Sequence, residues 1–168
     1  MANLSIVVCG APLSSRAHEL VDLATGLGWR TSLVVTEAAR AWVDDAATGF
    51  RSPADPKQPR PDAVVVAPMT FNTATKWALG IADTAPLSLL AETLGAGKPM
   101  VAVPFVNESL WGHPSWAATL MTLGKSGVVL VDPITGSGDL SALSSGSGER
   151  VAASFDPRWV LDHLPAPA

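Results

Sequence analysis

Five short runs of Val, Ile, Leu, Ala and Met set the limits on what this chain can fold into: "LSIVVCG" (4–10), "TSLVVT" (31–36), "DAVVVAP" (62–68), "KPMVAVP" (98–104) and "VVLVDP" (128–133). Each is too short for an ordinary helix and too uniformly apolar to leave one face in water, so each reads as a strand covered on both sides. Between them the apolar spacing becomes helical. Over 14–27, Ala17, Leu20, Val21, Ala24 and Leu27 recur along one stripe, and Gly26 and Gly28 mark the exit. "EAARAWVDDAA" (37–47) reads as a second helix, with Glu37 in a first turn that favours an anion. Residues 73–79 and 86–94 make two more helices, split by "GIADTA". The segment 113–127 has Pro114 near its start and a Gly-rich end, which predicts a helix after the fourth strand.

Strand and helix alternate throughout, the pattern of an open parallel sheet with helices on both faces. The expected fold is therefore α/β, a Rossmann-like or flavodoxin-like three-layer sandwich with a mostly parallel sheet. A length of 168 residues suits one domain. The core spans 4–133, and a Gly/Ser-rich stretch, "ITGSGDLSALSSGSGE" (134–149), reads as a flexible loop before a short closing helix at 156–164. "TGFRSPADPKQPRP" (48–61) carries Pro53, Pro56, Pro59 and Pro61 and can be neither helix nor inner strand.

Composition narrows the functions. The net charge is −4 without a Lys/Arg run, so a nucleic-acid partner lacks its electrostatic footprint. Cys9 is the only cysteine, which excludes an internal disulfide and a thiolate zinc cluster; an inert buried thiol is the plain reading. His18, His113 and His163 are scattered without metal-ligand spacing; His113 alone falls at a helix start near a strand end. No apolar stretch approaches the ~18–20 residues that cross a bilayer, and the start lacks a basic leader, so a cytoplasmic protein is expected. With 48% apolar and 15% charged residues, the balance favours burial against copies of the same chain.

Ligands of such folds gather outside the carboxyl ends of the strands. At "CGAPLSSR", one Gly, two serines and Arg16 meet a helix start, which suits either an ordinary cap or a phosphate. The loop is neither G-x-G-x-x-G nor a Walker A sequence. Thr36 ends the second strand and serves as an N-cap, a crevice residue or both. "APMTFNT" supplies more polar groups than a cap requires, and "VPFVNESLWGHP" places a second Asn on the neighbouring exit. There is no G-x-S-x-G elbow for acyl transfer.

These residues resemble a known family. "APMTFNTATKWALGIAD" is similar to the P-A-S-A-N-T motif and the following G-I-A-D segment of the homo-oligomeric flavin-containing cysteine decarboxylases, and "PFVNESLWGHP" to their P-x-M-N-x-x-M-W signature. The phosphate loop, first helix and T-E-A-A turn follow in order, so the resemblance covers about 4–133. It implies FMN at the edge of the sheet and assembly as trimers or, from four trimers, dodecamers. It also implies a small-molecule or peptidyl thiol substrate. The FMN-binding positions it implies are Gly10, Ala11, Ser14, Thr36, Met69, Thr70, Asn72, Thr73, Ala82 and Asp83, with Asn72 and Asn107 also holding the substrate carboxylate and Trp111 packing under the loop. The chain departs from the pattern in four places, the first being Ala11 where the family's phosphate loop has Ser. The family's catalytic His precedes the third strand, where this chain has "SPADPKQPRPDA". The signature Met is Val106, and "SGSGDLSALSSGSGER" has no clamp cysteine. The prenyltransferases of the same fold carry an Arg where this chain has Phe105. Two alternatives to a decarboxylase are a non-catalytic FMN-binding or partner-binding module and an electron carrier, the latter disfavoured by the mild acidity.

Overall fold

The computed structural model describes residues 1–43 and 59–167. Five strands, β1 (Asn3–Val8), β2 (Arg30–Val35), β3 (Ala63–Met69), β4 (Met100–Pro104) and β5 (Val128–Leu130), form one sheet in the order β2-β1-β3-β4-β5. Every pairing is parallel, as uniformly apolar strands require. Every residue of β3 and of β4 is buried.

Alternate side chains of the strands divide between two cores. Leu4, Ile6, Val8 and Val65 meet α1 (Ala17–Gly26), α6 (Gly148–Ser154) and α7 (Arg158–Leu161) through Leu20, Val151 and Val160. Val7, Val64, Val66 and Ala102 meet α2 (Phe71–Ala78), α3 (Ala85–Gly95) and α5 (Trp116–Lys125) through Trp77, Leu90 and Trp116. Each such Leu or Val contributes about 1.5–3 kcal/mol by leaving water. The expected three-layer sandwich is the observed one.

Local departures have identifiable causes. The expected helix at 37–47 is a 3₁₀ turn, Glu37–Ala41, and its remainder from residue 44 lies outside the described residues. The proline-rich stretch 48–61 is also outside them up to residue 58. β5 stops at Leu130 because the chain turns at Asp132, whose N–H donates to Ser137 O at 2.7 Å. The 134–149 segment is tied at several points. Asp132 Oδ1 accepts from Ile134 N, Thr135 N and Thr135 Oγ1, and Oδ2 accepts from Ser141 N and Ser141 Oγ. Leu143 then lies parallel to Asn107, donating its N–H to Val106 O and accepting from Glu108 N. At Gly136 (φ +71°), a Cβ would fall 2.4 Å from the ring of Trp159. Helix α6 had no counterpart in the sequence reading, and the closing helix is shorter than 156–164.

Candidate functional site

The chain leaves β1 to build β2 on one side, then returns to build β3 on the other. The topological switch point therefore lies between the carboxyl ends of β1 and β3, where a doubly wound sheet opens its ligand crevice. Pairing continues past the strands, since Cys9 N donates to Pro68 O at 3.1 Å. The turns 9–16 and 68–73 are thus held side by side.

The β1 exit is closed on itself. Ser14 Oγ donates to Cys9 O at 2.5 Å and accepts from Ala11 N at 3.2 Å, and Ser15 Oγ donates to Pro12 O. The Ser14 hydroxyl and the Ala11 N–H are therefore occupied inside the turn. Arg16, read as a possible phosphate ligand, is committed elsewhere. Its guanidinium donates to the carbonyls of Ala152, Ala153 and Phe155 at the end of α6 and to both carboxylate oxygens of Glu19. The Glu19 hydrogen bond raises the Arg16 pKa, and the same contact lowers that of Glu19. Helix-end carbonyls attract a cation as a phosphate does, and sequence alone does not separate the two.

Gly10 is required by a close approach. A Cβ there would lie 2.7 Å from the backbone carbonyl carbon and oxygen of Ala38, so the β1 and β2 exits touch. Thr36 stands at the same edge, its N–H bonded to Val8 O at 3.0 Å. Its hydroxyl makes no cap bond to the following turn.

At the β3 exit Met69 is buried, and Thr70 caps α2 by accepting from Thr73 N at 3.5 Å. Buried Thr73 Oγ1 accepts from Thr70 Oγ1 and from the Cys9 thiol at 3.4 Å. Burial pushes the Cys9 thiol pKa up against these hydrogen bonds, which fits an inert thiol. Asn72, at the second position of α2, is exposed. The N–H groups that open a helix have no intrahelical acceptor, so those of Phe71 and Asn72 have none within α2. At the β4 exit Asn107 Oδ1 caps α4 (Glu108–Trp111) by accepting from Leu110 N at 3.0 Å. Its amide NH2 stays outside that cap.

Ala82 and Asp83 follow α2 in the chain, and their described polar contacts are with residues of α2 and α3. Ala82 O accepts from Ser88 Oγ, and Asp83 pairs with Lys76 at 2.7 Å, which holds its carboxyl below the usual range.

Sequence reasoning did not single out Phe71. Its ring stacks on Trp116 with centroids 5.3 Å apart and meets the edge of His113 at 5.4 Å, and Trp111 packs edge-on against Trp116 at 5.6 Å. Trp111 therefore supports the loop by packing, as expected. The signal available for Phe71 was its place between two polar cap residues.

The donors described at these exits are neutral hydroxyl, amide and backbone N–H groups. A concavity of about 340 Å³ lies at the opposite end of the sheet beneath Met1, Trp29, Asp62 and Pro165. Its carboxylate, Asp62, is already held by Asn3 N and Lys98. No group of metal-ligating side chains occurs among the described residues.

A doubly wound parallel sheet with neutral donors at its switch point defines the class of α/β proteins that bind nucleotide-like ligands at strand exits. Residues 3–148 match the Flavoprotein family, and the chain belongs to it. A phosphopantothenoylcysteine decarboxylase of rice (Oryza sativa subsp. japonica) is 34% identical over 74 residues, 44% of this chain and 33% of that protein. The matched part therefore spans about a third of that relative's length. Among solved structures, a mutant PPC decarboxylase superposes with a TM-score of 0.72 at 19% identity, covering 96% of this chain and 95% of that one. The FMN-dependent cysteine decarboxylase SpaF gives 0.62 at 27% identity, covering 79% and 84%.

Proposed function

We propose that the protein binds FMN along the exits of β1, β2 and β3 and takes a thiol-bearing carboxylate, small or peptidyl, as substrate. The observation that carries this reading is the pair Asn72 and Asn107. They stand at the starts of α2 and α4 on adjacent strand exits, with Asn72 exposed and the Asn107 amide held by its cap. The phosphate end of FMN would lie against Gly10 and Thr36. The flavin would lie along Met69 to Thr73, with Phe71 and Asn72 offering N–H groups. Uncharged donors suit a flavin ring and a carboxylate, each of which accepts hydrogen bonds. When bound, FMN supplies the two-electron acceptor for oxidation at the carbon bearing the thiol, after which the carboxylate leaves as carbon dioxide.

A flavin at the edge of a single subunit would be half in water, so a second copy of the chain is expected to cover it in a trimer or dodecamer. Elution as a monomer in gel filtration would count against that assembly. A second reading rests on the absence of a His from "SPADPKQPRPDA", the stretch that leads into β3: the protein holds FMN without turnover and acts through partners. Absorption spectroscopy with identification of the released chromophore tests flavin binding. Thiol-dependent bleaching, present in the protein and lost in Asn72→Ala, separates the enzyme from the module.

A further inference from the structure

We infer that His113 is a substrate-binding residue, a third hydrogen-bond donor that selects for a carboxylate beside Asn72 and Asn107. The inference rests on the substrate reading above and deepens it.

His113 is fixed from three directions. Its backbone N–H donates to Leu110 O at 3.0 Å, and Leu110 N is the group that Asn107 Oδ1 caps at 3.0 Å. Asn107 and His113 therefore close the two ends of one helical turn. On the second side, the imidazole stands edge-on to Phe71, the residue immediately before Asn72, with centroids 5.4 Å apart and planes at 70°. This contact ties the β4-exit turn to the start of α2. On the third side, Ser115 N donates to His113 Nδ1 at 3.2 Å, and Ser115 Oγ lies 2.8 Å from the same nitrogen.

These contacts settle what the ring offers. A peptide N–H can only donate, so Nδ1 is an acceptor and the proton of the neutral ring sits on Nε2. The ring is exposed, and its described polar contacts all fall on Nδ1. Nε2–H is therefore the polar group His113 presents to a ligand. Two amides and one imidazole N–H can satisfy several lone pairs of a carboxylate, which accepts at about four sites. A neutral carboxamide offers fewer acceptors and brings donors of its own, so the set discriminates between them. The charged groups on the surrounding elements are Glu108 of α4, which accepts weakly from Ser145 N at 3.4 Å, Lys76 of α2, paired with Asp83, and Lys125 at the far end of α5.

The test uses FMN-loaded protein and two non-reacting probes, N-acetyl-S-methylcysteine and its amide, with binding followed by the shift in flavin absorption. The carboxylate should bind the wild type at least tenfold more tightly than the amide. His113→Ala should reduce that preference by about tenfold, the loss expected for one hydrogen bond to a charged group. His113→Gln should retain most of it, because the Gln amide places an N–H near the Nε2 position. Equal loss in the Ala and Gln variants would make His113 a packing partner of Phe71 and overturn the inference. A wild-type preference that survives in His113→Ala would also overturn it, while leaving the substrate reading intact. A wild type that takes up no FMN, or shows no preference, would overturn both.

Discussion

Asp132 gives the most direct test of how the site is held. Its carboxylate is buried and accepts five hydrogen bonds, at 2.8, 2.9 and 3.1 Å on Oδ1 and at 2.8 and 2.7 Å on Oδ2. Asp132→Asn keeps the shape but replaces one acceptor oxygen with an NH2 that must face donors. A hydrogen bond to a charged acceptor contributes about 1.5–3 kcal/mol, and a donor left buried without a partner costs about 1–3 kcal/mol. Rehydration of the surface loop recovers part of this, so the expected loss is about 3 kcal/mol. With a urea slope of roughly 2 kcal/mol/M, the midpoint falls by about 1.5 M. In heat the transition falls by about 6–12 °C. Burial pushes this carboxyl pKa up, but the bonds from Ser141, Ile134 and Thr135 outweigh burial and leave it lowered. A group with a lowered folded pKa contributes fully above its unfolded value, about 3.9, and loses that contribution as pH falls through the folded value. The gap between wild type and Asp132→Asn should therefore be constant near neutrality and close below about pH 4. A variant within about 0.5 kcal/mol of wild type at pH 7 would show that the loop is not held by this carboxylate.

Three further outcomes follow from the site. Arg16→Met should lower stability by about 1–3 kcal/mol in urea unfolding by freeing the α6 carbonyls. Its FMN affinity should stay within about threefold of wild type, because the guanidinium is occupied there and not at the phosphate. Gly10→Ala should cost about 1–3 kcal/mol by forcing the Ala38 backbone away. Fluorescence titration should show it weakening FMN as well. Asn72→Ala should leave stability within about 0.5 kcal/mol, since the residue is exposed. Thiol-dependent bleaching of bound FMN should slow about tenfold or more in the same variant.

The sheet was legible because period and burial agree. β3 is buried throughout, and "DAVVVAP" has no polar residue between Asp62 and Pro68 to suggest otherwise. The turns were legible by position but not by contact. Ser14 and Arg16 have the right chemistry for a phosphate, yet one is bonded within its own turn and the other to a helix 136 residues away. No local pattern reports a long-range acceptor. Helix α6 was hidden by the preceding Ser/Gly composition, although Val151, Ala152 and Phe155 carry an apolar stripe that a shorter window would detect. Tethering of 134–149 was missed for a related reason, since its anchors, at Asp132 and Leu143, bond mostly with backbone groups.

The Arg16 contact also bears on how the chain is made. The Phe155 carbonyl it grips lies 139 residues further along the chain. At about 5–20 residues per second, a ribosome delivers that carbonyl roughly 7–30 s after Arg16. During synthesis the first strand can pair and its turn can close on Ser14, but the guanidinium remains without its helix-end acceptors. The turn at the exit of β1, encoded first, is therefore among the last to be secured.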